Sequence, residues 1–179
     1  PAKVDEARAD IDRAAAMAER LGARAIHVLA GDGAPAKPGE ARAAFLAALA
    51  HALETFPGTV LIEPISPAAR RAYALSRLDE AAAIVAETGA ARLRVLVDAY
   101  HLAASEPDPA AAFARHAGAV GHVQIASHPA RAEPDAACLG LMAQMEDVGW
   151  AGAYGCEYHP RESVEAGLGW RRRAAGLER

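Results

Sequence analysis

LRVLVD, residues Leu93 to Asp98, is a run of branched apolar residues that ends on an acid. A short apolar run of this kind is typical of a buried strand. Four other runs share its composition, and the five starts fall at residues 25, 59, 93, 120 and 153. Segments with helical periodicity separate the runs, which predicts repeated strand-helix units and a parallel sheet. The other predicted strands are Ala25 to Ala30, Thr59 to Glu63, Val120 to Ala126 and Ala153 to Tyr158.

The polar residues at the strand ends distinguish two parallel architectures, an open doubly wound sheet and a (β/α) barrel. Glu63, Asp98 and Glu157 lie in the last residue or two of their strands, and Gln124 lies two residues before the end of its own. In a barrel such groups converge on one site, whereas an open sheet spreads them along a crevice. The barrel is therefore the better interpretation.

The length predicts that this barrel is incomplete. A full eight-stranded barrel takes about 250 residues, and the chain has 179. We therefore expect residues 1–179 to form one α/β domain, a partial TIM-type barrel of about five parallel strands with flanking helices. Such an arc leaves two unpaired sheet edges and exposes apolar interior surface. Poor stability or self-association is expected unless a longer chain or a second copy covers the gap.

Composition limits the function classes. The formal net charge is −4 and no basic patch appears, so a nucleic-acid partner is not expected. No apolar run approaches the roughly 18 residues of a membrane span. No signal-peptide pattern precedes the first helix and the chain has only 2 cysteines, so a cytoplasmic location is expected.

Strand alternation predicts that the four polar side chains point the same way. Taken singly, an acid that ends a strand is more often a helix N-cap or a solvated loop group. Together, three carboxylates and an amide oxygen need a counter-charge, which a divalent cation would supply. All-oxygen ligands suit Mg²⁺ or Mn²⁺ better than Zn²⁺. His27, His51 and His116 are interpreted as structural, and Cys156 as a small buried group that faces the helices.

Several motifs together resemble the hydroxypyruvate isomerase family of the xylose-isomerase-like barrel group. They follow in order over nearly all of the chain, and five in sequence form a specific signal although each alone is weak. Arg131 with Glu133 and Pro134 stands between the third and fourth. The motifs are LIEPIS (61–66), VDAYH (97–101), GHVQIA (121–126), GCEYHP (155–160) and EAGLGW (165–170).

The resemblance implies a metal-dependent aldose-ketose isomerase that interconverts hydroxypyruvate and tartronate semialdehyde. Glu63, Asp98, Gln124 and Glu157 would ligate Mg²⁺ or Mn²⁺, with Glu63 and Glu157 also acting as acid and base. His101 and Arg131 would hold substrate oxygens, and the planar fork of Arg131 suits a carboxylate. Related ketose epimerases usually carry His at the position of Gln124.

The sequence also departs from the family pattern. Nothing corresponds to the first three strands of the family barrel, and the loop expected after Asp135 is shortened, with Ala136 to Gly140 in its place. Isomerases of four-carbon oxo-acid sugars remain an alternative within the family, and a catalytically silent truncated paralogue with an interaction role is an alternative of a different functional class. An abasic-site endonuclease would need additional histidines and a basic groove, so Gln124 and the acidic net charge disfavour it.

Overall fold

Five strands alternate with helices along the chain in the computed structural model, which describes residues 3–33 and 38–174. The strands are β1 (Ala25–His27), β2 (Thr59–Ile62), β3 (Leu93–Asp98), β4 (Val120–Ile125) and β5 (Tyr154–Cys156). The helices are α1 (Val4–Leu21), α2 (Pro38–Thr55), α3 (Leu78–Thr88), α4 (Ala99–Ser105), α5 (Pro109–His116), α6 (Ala136–Asp147), α7 (Val164–Gly167) and α8 (Trp170–Ala174), with a 3₁₀ turn at Ala117–Ala119. No helix in the described part of the chain is both long and apolar enough to span a bilayer.

All four strand pairings are parallel, and the strand order in the sheet follows the chain order. Each strand therefore lies beside the next, with its connecting segment crossing over the outer face. Five parallel strands curl into a half-barrel with flanking helices. This confirms the predicted fold class.

The two faces of the sheet carry different side chains, as the alternation predicted. Val60, Ile62, Val97 and Ile125 belong to the apolar cluster shared with the helices. Leu61 is buried but lies outside that cluster, on the concave face. Because side chains alternate along a strand, the next residue on Leu61's face is Glu63.

Several strand ends differ from the prediction. β1 stops at His27 rather than Ala30, and β5 covers Tyr154–Cys156 rather than residues 153–158. Glu63 and Glu157 thus stand just beyond their strands, in the loops. Strand ends depend on where the neighbouring strand stops offering partners, which the composition of a single run does not reveal.

Candidate active site

A cavity of about 390 Å³ opens at the carboxyl ends of the strands, and each of the five strands contributes a lining residue at its end or in the segment that follows it. Five of the six predicted site residues line this cavity, and the sixth, Asp98, contacts Arg131 in its wall. A larger cavity of about 530 Å³ lies against α2 and α3 and contains none of them. The lining residues at the strand ends are His27, Leu29, Glu63, Ile65, Ala69, Arg70, His101, Gln124, Arg131 and Glu157.

Glu63, Asp98 and His101 form the buried centre of the site. Each offers one ligand atom, and these atoms lie within 4.8 Å of one another. His101 Nε2 lies 3.9 Å from Glu63 Oε1 and 3.8 Å from Asp98 Oδ2. The opposite ring nitrogen, Nδ1, pairs with Ser66 Oγ at 3.1 Å, which fixes the ring with Nε2 toward the acids.

Besides lying near Glu63 and His101, the Asp98 carboxylate contacts a backbone N–H and an arginine side chain. Its Oδ1 accepts a hydrogen bond of 2.8 Å from the backbone N–H of Tyr100 and so caps α4. Its Oδ2 faces Arg131 and His101. The helix-cap interpretation of this acid is therefore correct, and the same side chain also lies in the candidate site.

Arg131 joins Glu157 to the buried centre. Its Nη2 lies 3.3 Å from Asp98 Oδ2 and 3.3 Å from Glu157 Oε1. The guanidinium carbon sits 4.9 Å from the ring centre of Tyr100, a cation–π contact. The cavity wall contains two guanidinium groups, those of Arg131 and Arg70, and Arg131 is the one that contacts Asp98 and Glu157.

Burial and mutual repulsion shift the ionisation of the central groups. Burial, with the charges of Asp98 and Glu157, raises the pKa of Glu63 to about 8. Burial raises the pKa of Asp98 to about 6, against the opposing effects of the Tyr100 N–H and Arg131. Burial and the charge of Arg131 lower the pKa of His101 to about 4, so its ring is neutral at pH 7. Ionising Glu63 and Asp98 together is therefore unfavourable in this site unless positive charge is added beside them.

The residues present fit a divalent cation. The Oε1 atom of Gln124 is buried and accepts no hydrogen bond from any group in the described ranges. An unpaired buried acceptor beside two buried carboxylates is the donor set that hard cations take. Glu63 and Asp98 could hold such an ion from one side, with Gln124 and Glu157 reaching the same cavity and His101 Nε2 beside the two buried acids.

His27 and Arg70 are wall residues that the sequence analysis missed. His27, interpreted there as structural, places Nε2 3.6 Å from Glu63 Oε2. Its register partner is Leu61, so the alternation rule applied to the other strands would have found it. Arg70 stands in an irregular loop, where no periodic signal exists. By contrast, His51 and His116 pair with surface acids at 2.7 Å, which fits their structural interpretation.

Two further expectations are corrected. Cys156 is exposed rather than buried. Residues Ala136 to Gly140 form the start of α6 rather than a loop, since Asp135 caps that helix through a 2.9 Å bond from the Cys138 N–H. None of these five residues lines the cavity at the strand ends.

Comparison with known proteins agrees with the geometry. The family model for the xylose isomerase-like TIM barrel matches residues 1–174. A 2-oxo-tetronate isomerase from Cupriavidus necator is 41% identical over 177 residues, which cover 95% of this chain and 68% of that protein. A hydroxypyruvate isomerase from Escherichia coli K12 is 32% identical over 114 residues, covering 62% of this chain and 44% of that protein. A crystal structure of an AP endonuclease of family 2 from Brucella melitensis superposes with a TM-score of 0.89 at 29% identity, covering 96% of this chain and 69% of that one.

Proposed function

The chain belongs to the xylose isomerase-like TIM barrel family, and from that membership we propose that it is a metal-dependent isomerase of small hydroxy-oxo acids. Hydroxypyruvate and the four-carbon 2-oxo-tetronate are the proposed substrates, after the names of its relatives. One observation carries the proposal. The buried Glu63, Asp98 and His101 cluster shares a cavity with the unpaired amide oxygen of Gln124 and with Arg131.

The reaction moves one proton between neighbouring carbons. A base removes a proton from the hydroxyl-bearing carbon, the electron pair forms the carbon–carbon double bond, and the former carbonyl oxygen takes the negative charge of the enediolate. The hydroxyl proton passes to that oxygen, so the hydroxyl becomes the new carbonyl and the old carbonyl becomes the new hydroxyl. A proton then returns to the former carbonyl carbon, which gives the isomer. Bound Mg²⁺ or Mn²⁺ would supply positive charge against the oxygens on which negative charge develops.

Glu63 and Glu157 are the proposed acid and base. They reach the cavity from the ends of β2 and β5, with β3 and β4 between them, so a substrate in the cavity meets a carboxyl from each side. Burial and neighbouring acids make Glu63 the better proton carrier, since they raise its pKa to about 8. His27, 3.6 Å from Glu63, restricts where that carboxyl can turn.

Arg131 and His101 are proposed to hold the oxygens of the reacting carbons. Arg131 already lies between Asp98 and Glu157, so its remaining N–H groups can donate to an oxygen placed beside those acids. His101 is neutral at pH 7 because burial and Arg131 lower its pKa to about 4. A neutral ring can donate or accept one hydrogen bond at Nε2 without adding charge.

Cleavage of abasic DNA is not favoured by this site, although the Brucella melitensis relative is named an AP endonuclease. Within the described ranges, the one candidate metal group contains a single histidine. The formal net charge of −4 also opposes association with a phosphate backbone.

Proton exchange and metal binding together test the proposal. Hydroxypyruvate or 2-oxo-tetronate is incubated with the Mn²⁺-loaded protein in D₂O, and NMR follows deuterium entry and product formation. Calorimetric titration measures Mn²⁺ affinity on the same samples. We expect turnover that EDTA abolishes. Mn²⁺ binding without deuterium entry would instead support the silent paralogue.

A substitution at Glu157 tests the acid-base assignment separately. Glu157→Gln keeps the shape of the side chain but cannot carry the proton, so kcat should fall by about 10²- to 10⁴-fold. The fold should persist, because the Glu157 side chain is 49% exposed. Glu162→Gln, five residues on and exposed, is the matched control and should keep full activity. Unchanged kcat in Glu157→Gln would refute the assignment.

A further inference from the structure

We propose that Arg70 holds the carboxylate of the substrate acid and so makes the site selective for acids over neutral sugars. The inference rests on the proposed function, which requires an anionic substrate, and it assigns a residue outside the motifs of the sequence analysis. Arg70 lines the same cavity as Glu63, Arg131 and Glu157. It enters from the loop after β2, whereas Arg131 enters from the loop after β4.

The Arg70 side chain is fixed in place by two contacts. Its Nε donates a 2.7 Å hydrogen bond to Asp32 Oδ1. Its guanidinium carbon lies 5.3 Å from the ring centre of Tyr73. Tyr73 is itself anchored, because its hydroxyl accepts a 2.9 Å bond from the Ala30 N–H. A side chain that is already oriented loses less entropy when a ligand binds.

The loops that carry these contacts are tied together through their backbones. Asp32 and Tyr73 form an isolated antiparallel bridge. The Gly33 N–H donates to Ala72 O at 2.7 Å, and the Ala74 N–H donates to Gly31 O at 2.9 Å. The support for the guanidinium therefore comes from two strand-end loops rather than from one mobile side chain.

The outer nitrogens of Arg70 remain available to a ligand. Asp32 uses Nε, and the structure shows no hydrogen bond from either Nη atom to a described residue. These two nitrogens can present the parallel pair of N–H donors that a carboxylate accepts. Arg131 differs, because its Nη2 already lies 3.3 Å from each of two acids.

Charge balance also supports assigning Arg131 to the acids of the site and Arg70 to the substrate carboxylate. Glu63, Asp98 and Glu157 in their ionised forms are neutralised by Arg131 together with one divalent cation. A substrate carboxylate adds one further negative charge to that balanced set, which disfavours binding unless another cation faces the cavity. Arg70 is the other arginine in the cavity wall. Asp32 accepts from its Nε and offsets part of its charge, and its outer nitrogens are the donors left for a carboxylate.

Ligand binding with and without the Arg70 guanidinium tests the inference. The probe is D-glycerate, a carboxylate with the carbon skeleton of hydroxypyruvate, titrated calorimetrically into the Mn²⁺-loaded protein, with glycerol as the neutral comparison. Arg70→Gln should weaken D-glycerate binding about 10- to 100-fold. Arg70→Lys should recover part of the loss, because it restores the charge but not the fork. Arg71→Gln removes the same charge from the next residue, outside this cavity, and should change binding less than twofold.

Each outcome decides the inference separately from the proposed function. Equal D-glycerate affinity in Arg70→Gln and the unaltered protein would overturn it, as would no detectable binding by the unaltered protein. If binding depends on Arg70 but hydroxypyruvate is not isomerised, the isomerase proposal fails and the carboxylate site stands. If turnover occurs, Arg70→Gln should raise KM with little change in kcat, whereas a fall in kcat at unchanged KM would contradict a binding role.

Discussion

The amide of Gln124 occupies a position that is costly without a ligand. Its Oε1 is buried and receives no hydrogen bond from the described residues. A buried acceptor left without a donor costs on the order of 1–3 kcal/mol in folding free energy. A bound cation would relieve that cost, so this atom links the stability of the protein to the occupancy of its site.

Gln124→Met should therefore change metal affinity and metal-free stability in opposite directions. The variant keeps the length of the side chain and removes the orphaned oxygen. We expect Mn²⁺ affinity, measured by calorimetric titration, to fall at least about tenfold. The free energy of unfolding in EDTA should stay constant or rise. Gln144→Met, on the exposed surface of α6, serves as the control. Unchanged Mn²⁺ affinity would remove Gln124 from the ligand set.

The ionisation of Glu63 predicts a pH dependence of the metal-free protein. A carboxyl whose pKa is raised by folding stabilises the protein below its ordinary pKa, and that contribution is lost as pH rises through the folded value. For Asp98 the loss is half complete at its folded pKa of about 6 and tapers off about one pH unit above it, while the lowered pKa of His101 acts with the opposite sign, mainly below its ordinary 6.5. Of Glu63, Asp98 and His101, it is therefore Glu63 that dominates the change of folding stability with pH between pH 6.5 and 8.

Calorimetric unfolding in EDTA should consequently show Tm falling as the pH rises from 6.5 to about 8. Glu63→Gln cannot ionise at this position, so its Tm should be nearly flat over the same range. A flat or rising Tm in the unaltered protein would contradict the raised pKa of Glu63.

Residue patterns predicted part of this site and missed the rest for identifiable reasons. Glu63, Asp98 and Gln124 were predicted because each stands on the same side of its strand, near the end of an apolar run. His27 pairs in register with Leu61, which points to the same side of the sheet as Glu63, but the sequence analysis interpreted His27 as structural. Arg70 could not be found in this way, since its place depends on a bridge between Asp32 and Tyr73, 41 residues apart in the chain. Contacts between irregular loops leave no periodic trace in a sequence.

At the scale of elements, apolar runs located the strands but not their ends or the helix caps. Ser76 with Asp79 matches a capping-box pattern for α3, whereas Glu80 is the acid that accepts from the Ser76 and Arg77 N–H groups, each at 3.2 Å. The helix starts at Leu78, which makes Glu80 its third residue. Gly89 ends the same helix in a left-handed conformation, as its position suggests.

β5 lies close to β4 beside the site, at the position of Gly155. Adding a side chain at Gly155 therefore tests whether the spacing of these two strands positions Gln124. Gly155 pairs in register with Gln124, and a Cβ there would lie 2.8 Å from His122 Nε2 and 3.2 Å from Gln124 Cγ. Gly155→Ala should therefore push the Gln124 side chain and lower Mn²⁺ affinity. The free energy of unfolding should fall by about 1 kcal/mol, at the low end for overpacking because the His122 ring can turn.

Gly140→Ala in α6 is the matched control for that change. A Cβ at Gly140 meets no atom within 4 Å, so the variant should gain about 0.5–1 kcal/mol from reduced unfolded-state freedom, with Mn²⁺ affinity unchanged. Chemical denaturation and titration measure both quantities. A Gly155→Ala protein with full Mn²⁺ affinity would show that this strand spacing does not position Gln124.

At the scale of the whole molecule, the half-barrel leaves surface that a closed barrel would cover. The chain spans 68% of the length of its Cupriavidus necator relative. β1 and β5 each pair on one side within the described sheet, so each presents an unpaired row of backbone groups. Apolar side chains are also exposed along α1, where Met17 and Leu21 stand one turn apart, 51% and 75% exposed.

These surfaces predict that the 179-residue chain self-associates. Burial of Met17 and Leu21 against a second copy removes apolar area from water, which favours association by about 25 cal/mol per Å² before the entropic cost. Sedimentation velocity over a range of concentrations should give masses above the 18.6 kDa monomer. The double change Met17→Lys with Leu21→Lys should shift the distribution toward the monomer, because a buried ammonium is costly to desolvate. Ala9→Lys with Ala16→Lys adds the same charge to another exposed side of α1 and should leave the distribution unchanged. A single monomeric species at every concentration would show that the open edges and the α1 surface are tolerated in water.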